Sequence, residues 1–395
     1  MSQPLSELKV LDLSRFIAGP HCASVLGDLG ADVVKVERPR QGDDSRALEP
    51  NIEGESVYFL MFNRNKRGIT LDFRNPAAQD LLRRLACEAD VLIENFRPGT
   101  MEKMGCGWDD LHALNPRLVM ARISGYGQSG PRAGEPCFDG IAQANSGLMD
   151  LTGSPDGPPT MAGTFVVDYS TALYACVGIL AAIEERRRTG EGQLVDASLM
   201  GAATSLLMTA IPEYVVKGTL LTRTGNRDRY TAPSNTFRAA DGKWVHVIAG
   251  GEPMFKRFAA LIGRPDLLGD SRFSTLAARR ANVEAVEAIA AEWVASLPAE
   301  EAARRLNAAE LPAARVASIA DIVADPLMRE AAYIVDVEHP KAGPVPMHGQ
   351  AVRVGDHPPA FAPPPLLGQH VDEVLSGWLG LSPDEISALR EAGVV

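Results

Sequence analysis

The sequence predicts an α/β fold with a mainly parallel sheet, and two observations support this. Strand-like apolar segments alternate with helix-like segments along the first 125 residues. Such alternation is typical of βαβ units, which form a parallel sheet with helices on both faces. The chain of 395 residues is also long enough for one large domain or two ordinary ones.

Six segments have the apolar pattern of strands, and capping signals mark some of the helices between them. The predicted strands are residues 8–14, 31–39, 68–73, 89–96, 117–127 and 194–199. A first helix is predicted over residues 19–30, and a later helix has Asn75 as its cap and Pro76 at its first position. Helical spacing dominates residues 168–188, and Ser382 with Glu385 forms a capping box around Pro383.

Composition changes along the chain predict two domains. Residues 218–235 are polar and rich in turn-forming residues, as expected of a linker. Residues 236–325 contain Ala/Glu-rich helices and are predicted as a small domain. A large domain is predicted over residues 1–217, completed by residues 326–395, whose proline-rich part is expected to lie extended on the surface.

Charge and cysteine content narrow the possible environments and partners. The 39 basic and 50 acidic residues give a net charge of −11, and no basic block suggests a nucleic-acid or anionic membrane surface. The five cysteines are scattered and form no C-x-x-C pair, which is typical of reduced thiols. The chain starts without a signal segment, and its longest apolar stretch, near residues 172–183, looks too short to span a bilayer. We therefore expect a soluble cytoplasmic protein.

Several common catalytic motifs are missing from the sequence. The first strand is followed by "SRFIAGP" and not by the G-x-G-x-x-G pattern of nicotinamide and flavin enzymes. Neither a P-loop nor a G-x-S-x-G nucleophile elbow occurs. The seven histidines do not cluster, so no metal site is predicted.

One carboxylate stands alone at the start of a long apolar helix. Asp168 precedes fifteen residues without a charge, and the nearest charge before it is Asp156. An aspartate at this position commonly caps the helix by accepting a hydrogen bond from an unpaired N–H group. Alternatively, the small residues around Asp168 allow a ligand to approach a carboxylate that no neighbouring cation neutralises. Residue type alone leaves both interpretations open.

A family resemblance favours the second interpretation. The chain resembles the family III CoA-transferases (CaiB/BaiF), which include formyl-CoA:oxalate and carnitine CoA-transferases and also the α-methylacyl-CoA racemases. The segments that carry the resemblance extend over essentially the whole chain and occur in the family's order. They are "VLDLSRFIAGPHCASVLGDLGADVVKVERP", "YFLMFNRNKRGITLDF", "ADVLIENFRPG", "ISGYGQSGP", "DYSTAL", "AAIEERRRTGEGQLVDASL" and "PPPLLGQHVDEVL".

The resemblance implies that Asp168 is a catalytic nucleophile. Such an enzyme moves CoA from an acyl-CoA donor, here expected to be succinyl-CoA, to a small mono- or dicarboxylic acid. The aspartate forms an acyl anhydride and then an aspartyl-CoA thioester. A serine would end as a low-energy oxygen ester, and a cysteine could carry the acyl group but not CoA. CoA is thus expected as a substrate, with no permanently bound cofactor.

Further site residues follow from the resemblance alone. CoA contacts are implied for eight positions, with Arg38 and Lys103 suited to the CoA phosphates. These positions are Phe16, Ile17, Arg38, Leu71, Asn95, Phe96, Lys103 and Met200. An acyl or acid pocket is implied for Tyr58, Phe138, Asp139 and Gln143. Glycines that could form an oxyanion hole or a lid are Gly125, Gly127, Gly250 and Gly251.

Two other functions remain as alternatives. The racemase branch needs a histidine just before the aspartate that Asp139 matches, and this chain has Phe138 there. A non-catalytic CoA-binding protein on the same fold is the other alternative. In either case the resemblance implies a Rossmann-like large domain, a smaller α+β domain and an interlocked homodimer. The active site would then lie at the domain and subunit boundary.

Overall fold

The computed structural model describes residues 3–395 as a mixed α/β chain. Its strands are β1 (Lys9–Asp12), β2 (Asp32–Glu37), β3 (Asn51–Ile52), β4 (Glu55–Ser56), β5 (Lys66–Thr70), β6 (Val91–Glu94), β7 (Val119–Ser124), β8 (Leu194–Ser198), β9 (Ser234–Arg238), β10 (Trp244–Ile248), β11 (Ala313–Arg315), β12 (Ile334–His339) and β13 (Gly343–His348). Its helices are α1 (Ala18–Asp28), α2 (Val57–Phe62), α3 (Pro76–Glu88), α4 (Thr100–Lys103), α5 (Trp108–Leu114), α6 (Asp139–Ser146), α7 (Leu148–Leu151), α8 (Val166–Thr189), α9 (Leu199–Ser205), α10 (Ala210–Lys217), α11 (Glu252–Leu261), α12 (Leu276–Ala281), α13 (Val283–Ala295), α14 (Ala299–Ala308), α15 (Ile319–Ala324), α16 (Pro326–Glu330), α17 (Val371–Leu379) and α18 (Pro383–Glu391).

A six-stranded parallel sheet forms the centre of the fold, as predicted. Its strand order is β5-β2-β1-β6-β7-β8. Within it Leu11 of β1 pairs with Val34 of β2 on one side and with Leu92 of β6 on the other. The six predicted strands all occur, although the third begins two residues earlier, at Lys66. The α/β fold class is therefore confirmed.

Helices cover both faces of this sheet, which is why its strands are apolar almost throughout. One face packs against α3, α5, α17 and α18, with Leu82, Leu111 and Trp378 in its core. The other face packs against α1 and α8, with Leu26 and Ile179 in its core. The predicted cap of Asn75 on α3 and the capping box of α18 are both present.

The chain divides into two compact units. Within the described residues, the first contains residues 3–149, 161–216 and 327–395, and the second contains residues 150–160 and 217–326. This division differs from the sequence prediction because residues 150–160 and 218–235 belong to the second unit. The N–H group of Gly225 donates to the carbonyl of Gly153, at 2.9 Å, which ties these two segments together.

The second unit contains a three-stranded antiparallel sheet, β11-β10-β9, and helices α11 to α14. Phe255, Phe258 and Val286 lie in its core. The fully buried Arg279 donates to the carbonyls of Ala232 and Gly250, each at 2.9 Å. This guanidinium holds the turn that contains the expected glycine pair.

Helix α8 matches the predicted helix over residues 168–188 closely and extends well beyond the apolar stretch near residues 172–183. Among residues 3–395, α8 has the length and composition to cross a membrane, with a mean hydropathy of 1.7. Helices α9 and α10 would qualify only as one span bent by 71°. The expectation that this segment is too short was therefore wrong. Its buried residues, including Ala172, Ala175 and Ile179, pack against the sheet core.

Candidate functional site

A cavity lies where several parallel strands of the first unit end. Residues 15–18 follow β1, residues 95–98 follow β6, and Ser124 and Leu199 lie at the ends of β7 and β8. Strand β1 has β2 as its neighbour on one edge and β6 on the other, so the strand order reverses at β1. Ligands of open α/β sheets bind in the crevice at such a reversal of strand order.

The cavity has a volume of about 180 Å³. It is lined by Arg15, Phe16, Ile17, Ala18, Asn95, Phe96, Arg97, Pro98, Ile123, Ser124, Gly125, Ala133, Glu135, Pro136, Cys137, Phe138, Asp168 and Leu199. Pockets that enclose a whole drug-sized ligand are larger, about 300 Å³ or more. A cavity of this size suits the reacting end of a long ligand whose remainder extends outside.

Asp168 lies in this cavity but does not cap its helix. It is the third residue of α8, and the N-cap position is Phe165, which has no side-chain hydrogen bond to the helix. Among residues 3–395 no group donates a hydrogen bond to the Asp168 carboxylate, and no cation forms an ion pair with it. The helix-cap interpretation of Asp168 is therefore wrong.

The cap of α8 is Asp139, which belongs to a different helix, α6. Its Oδ2 accepts hydrogen bonds from the N–H groups of Val167, at 2.7 Å, and Asp168, at 3.0 Å. The Gln143 amide donates to Asp139 Oδ1 at 2.5 Å, and its own oxygen accepts from the N–H group of Ala162 at 2.9 Å. Asp139 and Gln143 are at most 1% exposed, so this arrangement is rigid and leaves the Asp168 side chain free.

Burial and the nearby negative charge of Asp139 raise the pKa of Asp168 to about 7. Burial penalises the charged form because it removes water, and the second carboxylate repels it. The first turn of a helix favours a negative charge, but here it does not offset these two effects. At neutral pH Asp168 is therefore present in both its protonated and its ionised form, and a pKa perturbed in this way inside a cavity is typical of a functional residue.

Cys137 is another candidate nucleophile in the cavity, and its environment argues against it. Burial raises the pKa of the Cys137 thiol, although a hydrogen bond with Tyr126 opposes this rise. The charges of Asp168 and Asp139 raise it further. The thiolate is the reactive form of cysteine, and these effects disfavour it at neutral pH. Asp168 is thus the better nucleophile at this site.

The cations at the cavity differ from those that the sequence analysis named. Arg97 lines the cavity, is exposed, and has no ion-pair partner among the described residues. Arg15 also lines it and pairs with Asp44 at 2.8 Å. Arg38 lies in a smaller neighbouring cavity, where it pairs with the same Asp44 at 2.5 Å. Arg97 is therefore the available cation for an anionic ligand.

The structure brings six of the predicted site residues together in the cavity. They are Phe16, Ile17, Asn95, Phe96, Phe138 and Asp168. Asp139 and Gln143 act on the helix that carries Asp168, as described above. Tyr58 lies near Asp168. Burial is the main cause that raises the pKa of Tyr58, and the negative charge of Asp168 is the second.

Apart from Gly125, the other predicted positions lie outside this cavity. The Leu71 side chain is completely buried in the sheet core, Lys103 is exposed on α4, and Met200 follows the cavity residue Leu199. Of the glycines, Gly125 lines the cavity, and a side chain there would collide with the Cβ atom of Cys137. The ligand contacts assigned to these residues stay predictions. Within residues 3–395, no group of three His, Cys, Asp or Glu side chains could hold a metal ion.

Comparison with known proteins connects this geometry to a family. The chain is 37% identical over 395 residues to succinyl-CoA–D-citramalate CoA-transferase of Chloroflexus aurantiacus, covering 100% of this chain and 98% of that protein. It is 35% identical over 413 residues to formyl-CoA:oxalate CoA-transferase of Streptomyces avermitilis, covering 100% of both. A CaiB/BaiF family protein from Brucella suis has a similar solved structure. The TM-score is 0.84 at 35% identity, over 96% of this chain and 100% of that one.

The similarity is not limited to the sheet, which many unrelated enzymes share. A family model matches residues 5–371 and thus includes both units and the segments around the cavity. A match of this length, together with relatives similar from end to end, shows common descent. The chain belongs to CoA-transferase family III.

Proposed function

We propose that this CoA-transferase moves CoA from succinyl-CoA to a small dicarboxylic acid, with Asp168 as the covalent carrier. The observation that carries this proposal is the state of Asp168. Its carboxylate lies in the cavity at the ends of the parallel strands, and among residues 3–395 it has no hydrogen-bond donor and no paired cation. A structural carboxylate is normally paired, whereas a nucleophile must be free to attack.

The first half of the reaction loads the enzyme. An Asp168 oxygen attacks the carbonyl carbon of succinyl-CoA, the C–S bond breaks, and CoA leaves as a thiolate. The product is a mixed anhydride between Asp168 and succinate. The thiolate then attacks Cγ of Asp168, the C–O bond of the anhydride breaks, and succinate leaves. Asp168 now holds CoA as a thioester.

The second half repeats these steps in reverse order with another acid. The carboxylate of the acceptor attacks Cγ of Asp168 and displaces the CoA thiolate. The thiolate attacks the carbonyl carbon of the acceptor in the new anhydride, and Asp168 leaves as a free carboxylate. No net proton or electron is transferred. Because a thioester replaces a thioester, the overall reaction is nearly balanced in energy.

Two features of the cavity support this assignment. The hydrogen bonds of Asp139 hold the backbone of Val167 and Asp168, so the nucleophile starts from a fixed position. Phe138 stands where the racemase branch needs a histidine; its ring contacts Phe16, with centroids 5.8 Å apart. A phenyl ring cannot exchange an α-proton, so this position favours transfer over racemisation.

The choice of succinyl-CoA and a dicarboxylic acceptor rests on relatives and is the finer part of the proposal. One relative named above uses succinyl-CoA and D-citramalate, a branched five-carbon diacid. Another, at nearly the same identity, uses formyl-CoA and oxalate. The family resemblance implies that the formyl/oxalate enzymes have a glutamine at the position of Ile17, which here is apolar and 2% exposed. This difference at residue 17 favours the specificity of the succinyl-CoA-dependent relatives over that of the formyl-CoA:oxalate enzymes.

A panel of substrates tests the proposed function directly. The protein is incubated with single acyl-CoA donors and then digested for mass spectrometry. We expect succinyl-CoA to add one CoA to the peptide that contains Asp168, and added citramalate or a similar diacid to remove it. Wash-in of deuterium at the α-carbon of a branched acyl-CoA, with no acid present, would instead support the racemase alternative. Tight binding without either reaction would support the non-catalytic one.

Arg97 is expected to bind the phosphate or pantetheine part of the donor. For Arg97→Ala we expect the KM for succinyl-CoA to rise about tenfold, which corresponds to about 1.4 kcal/mol, with kcat almost unchanged. Steady-state kinetics at two salt concentrations check this. Arg117→Ala, which removes another exposed guanidinium of the first unit, is the control. An unchanged KM would remove Arg97 from the binding site.

We also propose that the chain works as a homodimer, as the resemblance implies. The free side of α8 presents Leu173, Tyr174 and Val177, which are between 49% and 64% exposed. Helix α10 has no buried residue, and its apolar residues Val215 and Val216 are more than 70% exposed. Apolar surface of this extent commonly marks a contact with another protein chain.

Light scattering after size exclusion tests the homodimer. We expect a mass of twice 42.2 kDa for the wild type. Val177→Glu is expected to give the single-chain mass because a charge on α8 would have to be buried in the contact. Glu184→Gln on the same helix should leave the mass unchanged. A wild-type mass of 42.2 kDa would contradict the proposal.

A further inference from the structure

The turn between β1 and α1 contains a residue in an unusual conformation. Phe16 has a φ angle of 65°, in the left-handed region that residues with a Cβ atom rarely adopt. The same residue lines the Asp168 cavity. Backbone strain of this kind persists only where the surroundings hold it, and it is frequent at functional sites.

Side chains from other strands hold this turn by its backbone groups. Asn95, after β6, accepts from the N–H group of Arg15 at 2.8 Å and donates to its carbonyl at 2.7 Å. Asp43, after β2, accepts from the N–H group of Phe16 at 3.3 Å. Lys35, on β2 itself, donates to the carbonyl of Ser14 at 2.6 Å. Three side chains thus hold the backbone of three consecutive residues, Ser14 to Phe16.

Lys35 and Asp43 also form a buried ion pair. Their Nζ and Oδ2 atoms are 3.0 Å apart, and the two side chains are 1% and 0% exposed. Asp12 lies 3.9 Å from the same Nζ atom, and the Ser45 hydroxyl donates to Asp43 Oδ1 at 2.8 Å. Burial opposes the charge of Lys35, but Asp12 and Asp43 keep its pKa above the ordinary value. Burial also opposes the charge of Asp43, but Lys35 and the hydrogen bonds from Ser45 keep the pKa of Asp43 below its ordinary value, so both members are charged at neutral pH.

Stability alone does not explain this pair. Burying two charges removes their hydration, and an apolar pair of similar volume is often as stable or more stable. The pair differs from an apolar one in that Lys35 and Asp43 each also hold one end of the Phe16 turn. Neither side chain lines the Asp168 cavity. Their effect on that cavity is therefore indirect, and the hydrogen bonds to the Phe16 turn are the direct connection.

We propose that Lys35 and Asp43 are positioning residues that fix the Phe16 turn and, through it, the wall of the cavity that binds the CoA thioester. This inference rests on the proposed function. The proposed role requires that the Asp43 side chain present an oxygen acceptor to the N–H group of Phe16. The charge of Asp43 is needed only because Lys35 is charged.

Two double variants separate the acceptor from the charge. Lys35→Met with Asp43→Asn removes both charges and keeps the acceptor, whereas Lys35→Met with Asp43→Leu removes the acceptor as well. For the Leu variant we expect the Kd for free CoA and the KM for succinyl-CoA to rise about tenfold above those of the Asn variant. Titration calorimetry and steady-state kinetics measure these constants, and kcat should change less than KM.

A matched pair elsewhere controls for general destabilisation. Asp28 and Arg64 form another buried ion pair, with side chains 8% and 1% exposed, and Asp28 ends the helix that the Phe16 turn begins. Asp28→Leu with Arg64→Met should lower the melting temperature, because the Asn65 amide and the carbonyl of His348 also lose their hydrogen bonds, without changing the Kd for CoA. If the Leu variant at Asp43 melts lower but binds CoA as tightly as the Asn variant, the inference is overturned.

A milder variant covers the case in which the Leu variant does not fold. Ser45→Ala removes one hydrogen bond that orients Asp43 and leaves every charge in place. We expect the KM for succinyl-CoA to rise about threefold, and an unchanged KM would overturn the inference. If the wild type binds CoA but transfers none, the proposed function fails while the Kd comparison still decides about the turn. If the wild type does not bind CoA at all, both fail.

Discussion

Replacing Asp168 by alanine is expected to abolish CoA transfer. The carboxylate is the only proposed carrier, and its loss removes both the anhydride and the aspartyl-CoA thioester from the reaction. We expect kcat to fall by about 10⁴-fold or more, as is usual when a covalent nucleophile is removed. Exchange between succinyl-CoA and the acceptor acid, followed by chromatography, measures this loss. Mass spectrometry should find no CoA on the peptide that contains residue 168.

Asp168→Asn strengthens this test because the amide keeps the shape of the side chain. It should be as inactive as the alanine variant and should melt at a higher temperature above pH 7. The wild type has a raised carboxyl pKa of about 7, so folding becomes costlier as pH rises from the ordinary value of 3.8 through 7. Asparagine avoids this cost. Glu184→Gln, a change of an exposed carboxylate on the same helix, is the matched control. Wild-type turnover in either Asp168 variant would disprove the mechanism.

The strands of the sheet could be predicted because their signal is local. Each is a short apolar run bounded by turn-forming residues, and the run "VVKV" of β2 is an example. The apolar part of α8 was underestimated, as residues 172–183, because the polar residues Ser170 and Thr171 precede that stretch. The Thr171 hydroxyl donates to the Val167 carbonyl at 2.7 Å, and Ser170 donates to the same carbonyl at 3.0 Å. These polar residues are satisfied within the helix and do not interrupt it.

The partners of the site residues could not be read from the sequence. Asp139 caps a helix that begins 27 residues later, because folding brings α6 to the start of α8. Local cap patterns extend over only a few residues and cannot show such a contact. Arg38 was expected to meet phosphates, but whether it meets Asp44 or a ligand depends on the loop between them. Arg97 could have been found, because residues that follow strands at a switch point line the binding crevice.

Replacing Asp139 by alanine is expected to damage both stability and activity. The N–H groups of Val167 and Asp168 would lose their acceptor, and Gln143 would lose its partner. Loss of a helix cap lowers the free energy of unfolding by about 1 to 2 kcal/mol. The first turn of α8 would also lose its fixed position, and misplacement of a reacting group by about 1 Å costs about 10²-fold in rate. Thermal melting and kcat/KM for succinyl-CoA measure the two effects.

Asp139→Asn separates the charge of Asp139 from its role as a cap. The amide oxygen can still accept from the N–H groups of α8, but its NH2 group would face the NH2 group of Gln143. The variant should therefore melt between Asp139→Ala and the wild type. Without the second negative charge the pKa of Asp168 falls, since that charge is one of the two causes of its rise. Transfer requires the ionised form, so wild-type kcat/KM should fall as pH drops through about 7, and in the variant this fall should occur at lower pH.

A stability control completes the Asp139 experiment. Asn75→Ala removes the cap of α3, a helix whose residues do not line the cavity. It should lower the melting temperature by an amount similar to Asp139→Ala and leave kcat/KM and its pH dependence unchanged. The position of the acid limb is the decisive measurement, because a purely structural role for Asp139 would not move it. A pH profile of Asp139→Asn that superimposes on the wild type would show that this carboxylate holds the helix without tuning the nucleophile.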